Sequence, residues 1–219
     1  MIKAVIFDMD GVIIDSEPIH KQVEESLFKK LNIKVSEEEH NSYVGKTSIE
    51  MWREIKLKYN LRKDILAEEI VIEEVDRYIE HLLAKDDIKP IMGVRKLINE
   101  LYIKDIKLAL ASSAVRRSIE TVINLFELGE YFSISISGED IEDGKPCPDI
   151  FLKAANELGV NPMECVVIED SRNGVIAAKT AGMKCIGFKN RNSGNQDLSR
   201  ADMVIDSLSQ IDYKKVLEI

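Results

Sequence analysis

Cysteine, proline and tryptophan are scarce in this chain: three, five and one among 219 residues. The three cysteines, Cys147, Cys165 and Cys185, are an odd number at wide spacing, and two lie in apolar runs. They argue against a disulfide framework or a zinc site and read as reduced packing residues of a cytosolic protein. No uninterrupted apolar stretch approaches the ~20 residues of a membrane span, so no membrane partner is expected. No basic lead or small-residue cleavage site precedes the first apolar run, so no secretory signal is expected and the location expected is cytoplasmic. Positive charge is in deficit, with 30 Lys and Arg against 39 Asp and Glu, a net charge of -9. Non-specific nucleic-acid binding needs a basic face and is not expected here.

What the chain does have is 45% hydrophobic residues, enough to bury one good core or two modest ones. Pro18 and Pro90 bracket a stretch with no proline between them and a single glycine, Gly45. That stretch is expected to be helical throughout, with apolar spacing at Ile19, Val23, Leu27 and Leu31, at Ile49, Trp52, Ile55 and Tyr59, and at Val71, Val75, Tyr78 or Ile79, and Leu82. Ser36 with Glu39, and Thr47 with Glu50, have the form of capping boxes. The abundant Glu and Lys of these helices read as a solvated face.

The remainder alternates. Strand-like runs at Ala4–Phe7, Lys107–Ala111, Ser133–Ile136, Cys165–Ile168, Lys184–Phe188 and Met203–Ile205 are separated by helical patterns. These helices are expected at Val94–Tyr102, Ser118–Phe126, Pro148–Leu158 and Asn173–Ala181. Alternation of this kind predicts an α/β fold, a doubly wound parallel sheet. The helical stretch then forms an inserted lobe, residues 16–87, within a core made of residues 1–15 and 88–219.

Each strand end delivers polar groups. The first runs into Asp8-Met9-Asp10-Gly11, the second into Ser112-Ser113, the fourth into Glu169-Asp170-Ser171, and a loop after the third carries Gly144-Lys145-Pro146-Cys147-Pro148-Asp149. Taken singly, Asp-x-Asp-Gly is also a turn, Glu169-Asp170 a helix start, and Lys145 a loop lysine. In open α/β sheets, however, ligands bind outside the carboxyl ends of the strands. Carboxylates suit a hard divalent cation, a hydroxyl can hold a phosphoryl oxygen, and a lysine can offset its charge.

These four segments, in this order and with a helical insert between the first and second, resemble the motifs of the haloacid-dehalogenase superfamily. The likeness spans essentially the whole chain, and it is nearest to the phosphatase and β-phosphoglucomutase branch with a helical cap. The resemblance implies that Asp8 is a nucleophile forming an aspartyl-phosphate and that Asp10 is the general acid and base. It implies Mg²⁺ held by Asp8, Asp170 and the Asp10 carbonyl, with Glu169 bound through water or beside the ion. Ser112, with amides near Met9 and Ser113, would hold the phosphoryl group, and Lys145 would offset its charge.

Substrate choice is expected in the lobe, where Glu17 and His20 stand at the start of its first helix; His20 also reads as an ordinary exposed helix histidine. Mutases of the branch carry an arginine soon after the cap glycine, a Ser-Lys-Asn set after the second-motif serine, and a cap lysine. Here Gly45 is followed by Lys46, Ser113 by Ala114-Val115-Arg116, and no lysine stands near Glu74. Lys46 and Arg116 are the cations available in their place. These departures favour a phosphatase acting on a small phosphomonoester, a sugar phosphate, over β-phosphoglucomutase. A receiver-type phosphoacceptor would carry its aspartate after a middle strand and have no helical insert. A monomer is expected, because the lobe supplies a lid in the same chain.

Overall fold

The computed structural model describes residues 1–43, 46–85 and 88–219. Among the described residues six strands form one parallel sheet: β1 (Ala4–Phe7), β2 (Lys107–Ala111), β3 (Ile134–Ile136), β4 (Cys165–Glu169), β5 (Lys184–Phe188) and β6 (Met203–Ile205). Their order is β3-β2-β1-β4-β5-β6, the doubly wound arrangement that alternation implied. The order reverses between β1 and β4. Phe7 pairs in register with Leu110 of β2 and Ile168 of β4, so the next residues of all three strands emerge side by side.

Side chains of the central strands alternate between two apolar layers, as the pleat requires. Val5, Phe7, Leu108, Leu110, Val166 and Ile168 pack in one layer with α5 (Val94–Ile103), α6 (Arg116–Leu125) and α9 (Tyr213–Leu217). Ala4, Ile6, Ala109, Cys165 and Val167 pack in the other with α7 (Asp149–Leu158) and α8 (Arg172–Thr180). Ala4, Ala109, Ala154 and Ala178 are fully buried in this layer. Cys165 and Cys185 are fully buried in this layer as packing residues. Helices α5, α6, α7 and α8 begin and end within two residues of their expected bounds. Gly159 caps α7 in the left-handed conformation, with φ 64°.

Between β1 and α5 lie α1 (Glu17–Lys30), α2 (Glu37–Asn41), α3 (Ser48–Lys58) and α4 (Ala67–Leu83). Ser36 caps α2, and Thr47 with Glu50 forms a complete capping box on α3. Trp52, Ile55, Tyr78 and Leu82 close the centre of this helical segment. The chain leaves and re-enters the sheet side by side: Ile14 bridges Pro90, and the Ile91 N–H donates to the Ile13 carbonyl at 2.8 Å. Two of its acids are not on a solvated face. Glu24 and Glu74 are buried, because the faces of α1 and α4 that carry them turn inward beside the sheet edge. No helix among the described residues is long and apolar enough to cross a membrane.

Two outcomes test this packing. Leu110 is fully buried in β2, and Leu110→Ala should cost about 2–5 kcal/mol, seen as a lower urea midpoint at unchanged slope. The imidazole of His40 binds the Glu24 carboxylate and so ties α2 to α1. Burial alone would lower the His40 pKa, but the Glu24 contact outweighs it and holds it above the ordinary value. Because the folded value is the raised one, His40 stabilises the fold fully below its unfolded pKa of ~6.5 and progressively less as pH rises above that. The midpoint difference between the wild type and His40→Gln should therefore shrink between pH 6 and pH 9; a constant difference would contradict the pairing.

Candidate active site

Four backbone turns at the carboxyl edge of the sheet bring the sequence motifs to one point. After β1, the Asp8 N–H donates to the Ile168 carbonyl at 3.0 Å, so the turn starts in register with β4. Gly11 then takes a φ of +77°, and a Cβ built there would lie 1.9 Å from Asp170 Oδ2. Only glycine lets the first turn pass this close to the end of β4. Gly174 at the start of α8 plays the same part for Glu169, whose Oε1 would lie 1.7 Å from an added Cβ.

The buried charges are interlocked. Lys145, 2% exposed, donates from Nζ to Asp8 Oδ1 at 2.6 Å and to Glu169 Oε1 at 2.7 Å. The other oxygen of Glu169 accepts from Ser171, from its N–H at 2.6 Å and its hydroxyl at 2.9 Å. Ser171 Oγ in turn accepts from the Gly174 N–H at 3.0 Å and so caps α8. Asp170 Oδ2 accepts from the buried hydroxyl of Ser193, in the loop after β5. In the same loop Asn190 donates to the Gly11 carbonyl at 3.0 Å, clamping the first turn.

Burial pushes the Asp8 carboxyl up to about 8; Lys145 opposes this, while Glu169 and Asp10 add to it. Burial, with Glu169 and Asp8 beside it, also raises Asp170 well above the carboxylate range. Lys145 is held protonated by its two carboxylates despite its burial. Two buried carboxyls thus share one ammonium, Asp170 stands beside them, and oxygens of Asp8, Glu169 and Asp170 lie within 4.8 Å of one another. An excess of buried negative charge on oxygen ligands fits a hard divalent cation. The lone pairs of Glu169 are directed at Lys145 and Ser171, which leaves Asp8 and Asp170 as the better placed carboxylates.

Asp10 behaves differently, because the helical segment holds it. Its Oδ1 accepts from the Ser16 hydroxyl at 2.6 Å and meets His20 Nε2 at 3.4 Å, while Ser112 Oγ donates to Oδ2 at 3.3 Å. Burial would raise the Asp10 pKa, but His20, Ser16 and Ser112 outweigh it and hold the carboxyl low. Burial would lower the His20 pKa, yet the Asp10 contact carries it up to about 10. His20 is therefore an imidazolium lying against a carboxylate, with its ring stacked 4.3 Å from Tyr78, and not a freely exposed helix residue.

One pocket contains Asp8, Asp10, Ser112, Ser113, Lys145 and Asp170 from the sheet edge, and Glu17, His20 and Lys46 from the helical segment. The structure therefore brings most of the sequence-derived candidates together. Arg116 stands apart: its guanidinium pairs with Asp140 and its N–H donates to Glu139 at 2.8 Å, away from the pocket lining. Gly45 lies outside the described residues. Cys147 is only half-buried, and burial with nearby Asp143 pushes its thiol up, away from a reactive thiolate. Ser16, Ser193, Asn190, Glu24 and His40 were not legible as site residues, since each is an ordinary polar residue in a loop or helix until the chain folds.

A family model for haloacid dehalogenase-like hydrolases matches residues 5–188. Hexitol phosphatase B of Escherichia coli strain K12 is 30% identical over 99% of this chain and 97% of its own length. A phosphorylated carbohydrates phosphatase of Thermotoga maritima is 33% identical over 84% of this chain and 83% of its own. The crystal structure of a β-phosphoglucomutase from Clostridium difficile superposes with a TM-score of 0.87 at 28% identity, covering 100% of this chain and 96% of that one. The motifs at the sheet edge, the family match and these relatives agree: the chain belongs to the haloacid dehalogenase-like hydrolases, enzymes of phosphate esters in the phosphatase and β-phosphoglucomutase branch.

Proposed function

We propose that the protein is a Mg²⁺-dependent phosphatase that hydrolyses a small phosphomonoester, a sugar phosphate, through an aspartyl-phosphate on Asp8. The observation that carries this reading is the pairing of Asp8 and Asp10 at one strand end in opposite environments. Asp8 is set among Lys145, Glu169 and Asp170, and Asp10 among Ser16, His20 and Ser112. Two carboxyls with separate surroundings suit separate roles. The hexitol and carbohydrate phosphatases among the relatives favour a sugar phosphate.

In this mechanism a carboxylate oxygen of Asp8 attacks phosphorus as the bond from phosphorus to the alcohol oxygen breaks. The departing alkoxide receives a proton through Asp10, resupplied from the imidazolium of His20 across their contact. Asp10, again a carboxylate, then takes a proton from water; the hydroxide attacks phosphorus and the bond to Asp8 breaks, releasing phosphate. Ser112 and Lys145 donate to the phosphoryl oxygens and limit repulsion between them and Asp8. Mg²⁺ would be held by Asp8 and Asp170, with Glu169 beside them. When bound, it neutralises carboxylate and phosphoryl charge.

We assign residues 16–87 the role of lid and specificity element over the core, because His20, Lys46 and Glu17 reach the pocket from them. The departures from the mutase pattern at Lys46, Ala114-Val115-Arg116 and Glu74 favour water over a second sugar phosphate as acceptor.

Phosphate release from sugar phosphates should cease with chelator and return with Mg²⁺, and Asp8→Asn should lower it by ~10³-fold or more. Unchanged turnover by that variant would refute the nucleophile. Gly11→Ala should displace Asp170, raising the Mg²⁺ concentration for half-maximal activity by about tenfold or more while leaving the fold intact by circular dichroism.

A further inference from the structure

The pocket wall opposite the sheet edge carries three acids and three basic groups, and the basic groups are already engaged. Glu17, Glu24 and Glu74 face it together with His20 and His40. Both imidazoles are already engaged, His20 by Asp10 and His40 by Glu24. Lys46, the remaining cation of that wall, is drawn aside by Glu54 at 2.6 Å.

Glu74 is the group left over. It is 2% exposed, and its Oε2 accepts the indole N–H of Trp52 at 2.9 Å. Its Oε1 has no hydrogen-bond partner among the described residues, although the Ser48 hydroxyl stands near enough to the carboxyl to lower its pKa. Buried polar atoms are almost always paired, so an orphaned carboxylate oxygen inside a substrate pocket points to a donor that arrives with the ligand. Burial, and next the nearby charge of Glu24, push the Glu74 carboxyl up to about 8, the direction that an incoming positive charge would reverse. Ligand atoms of Glu74, Glu24 and His20 lie within 4.8 Å of one another, so one small cationic group can touch both carboxylates.

We propose that Glu74 and Glu24 form a subsite for a protonated amine on the organic part of the substrate, which would make the favoured substrates phosphomonoesters of amino alcohols or amino sugars. This inference rests on the phosphatase reading above and names a charged group on the organic part of the phosphomonoester. A second phosphate or a carboxylate would bring acceptor oxygens, and no donor, against the Glu24 and Glu74 carboxyls, while the imidazoles of His20 and His40 are already engaged by Asp10 and Glu24. A primary ammonium instead supplies the donor that Glu74 Oε1 lacks and favours the ionised form of that carboxyl.

The test compares 2-aminoethyl phosphate and glucosamine 6-phosphate with 2-hydroxyethyl phosphate and glucose 6-phosphate in Mg²⁺, with p-nitrophenyl phosphate as the ester that carries neither group. Each amine should show a kcat/KM about tenfold or more above its hydroxyl counterpart, and Glu74→Gln should abolish that preference. Should that variant fail to fold, inhibition of the wild type by 2-aminoethylphosphonate against 2-hydroxyethylphosphonate carries the same comparison. Equal values within each pair, with p-nitrophenyl phosphate still hydrolysed, would overturn the subsite alone. Zn²⁺ inhibition relieved by Glu74→Gln without an amine preference would also overturn it, giving the cluster to a metal ion. No phosphate from any ester would overturn the phosphatase reading and the subsite with it.

Discussion

The rest of this structure is arranged around a buried ammonium. Lys145 reaches the carboxyl edge of the sheet from the loop after β3 and bridges the ends of the two strands at which the strand order reverses, Asp8 after β1 and Glu169 at the end of β4. Removing one partner of such a pair strands a charge in a dry site, at a cost of about 3–5 kcal/mol. With Asp170 beside them the carboxylates still outnumber the cation, so the site is built with a deficit of positive charge. That deficit fits a divalent ion together with the requirement that a phosphoryl group be met by donors. The glycines at 11 and 174 are consequences of the same crowding, because neither turn can pass the carboxylates with a Cβ in place.

Asp10 links this centre to the helical segment. Its donors come from both sides, Ser112 from β2's end and Ser16 and His20 from the start of α1. The proton inventory of the site therefore depends on how α1 is seated, although the carboxylates that fit a cation belong to the sheet edge. The loop after β5 supports the opposite side, where Ser193 orients Asp170 and Asn190 holds the Gly11 carbonyl. Chemistry and substrate choice are thus separated in space but joined at two contacts to one carboxylate.

How much of this could be read before folding depends on the kind of signal. Parallel strands buried on both faces must be continuous apolar runs, and β1, β2, β4 and β5 are such runs, so their ends and the polar groups that follow them stand out. Lys145 has no strand of its own to announce it, and was legible only through the Gly-Lys-Pro-x-Pro-Asp pattern around it. The helical segment was harder. Glu24 and Glu74 sit on amphipathic helices crowded with Glu and Lys, where a solvated face is the ordinary reading, yet both are buried against the pocket. Arg116 had the reverse fate: a cation next to the second motif is spent on Asp140.

By itself the sequence determined the sheet, the order of its motifs and the chemistry at each strand end, because hydrophobic period, glycine and proline punctuation and family pattern are local signals. Only the tertiary structure decided which charges share a space: that one lysine serves two carboxylates, that Ser16 and His20 reach back to Asp10, and that Glu74 faces the pocket with an oxygen unsatisfied. Those facts depend on how α1 and α4 pack over the strand ends, and helix-to-sheet packing is set by the summed contacts of many residues far apart in the chain.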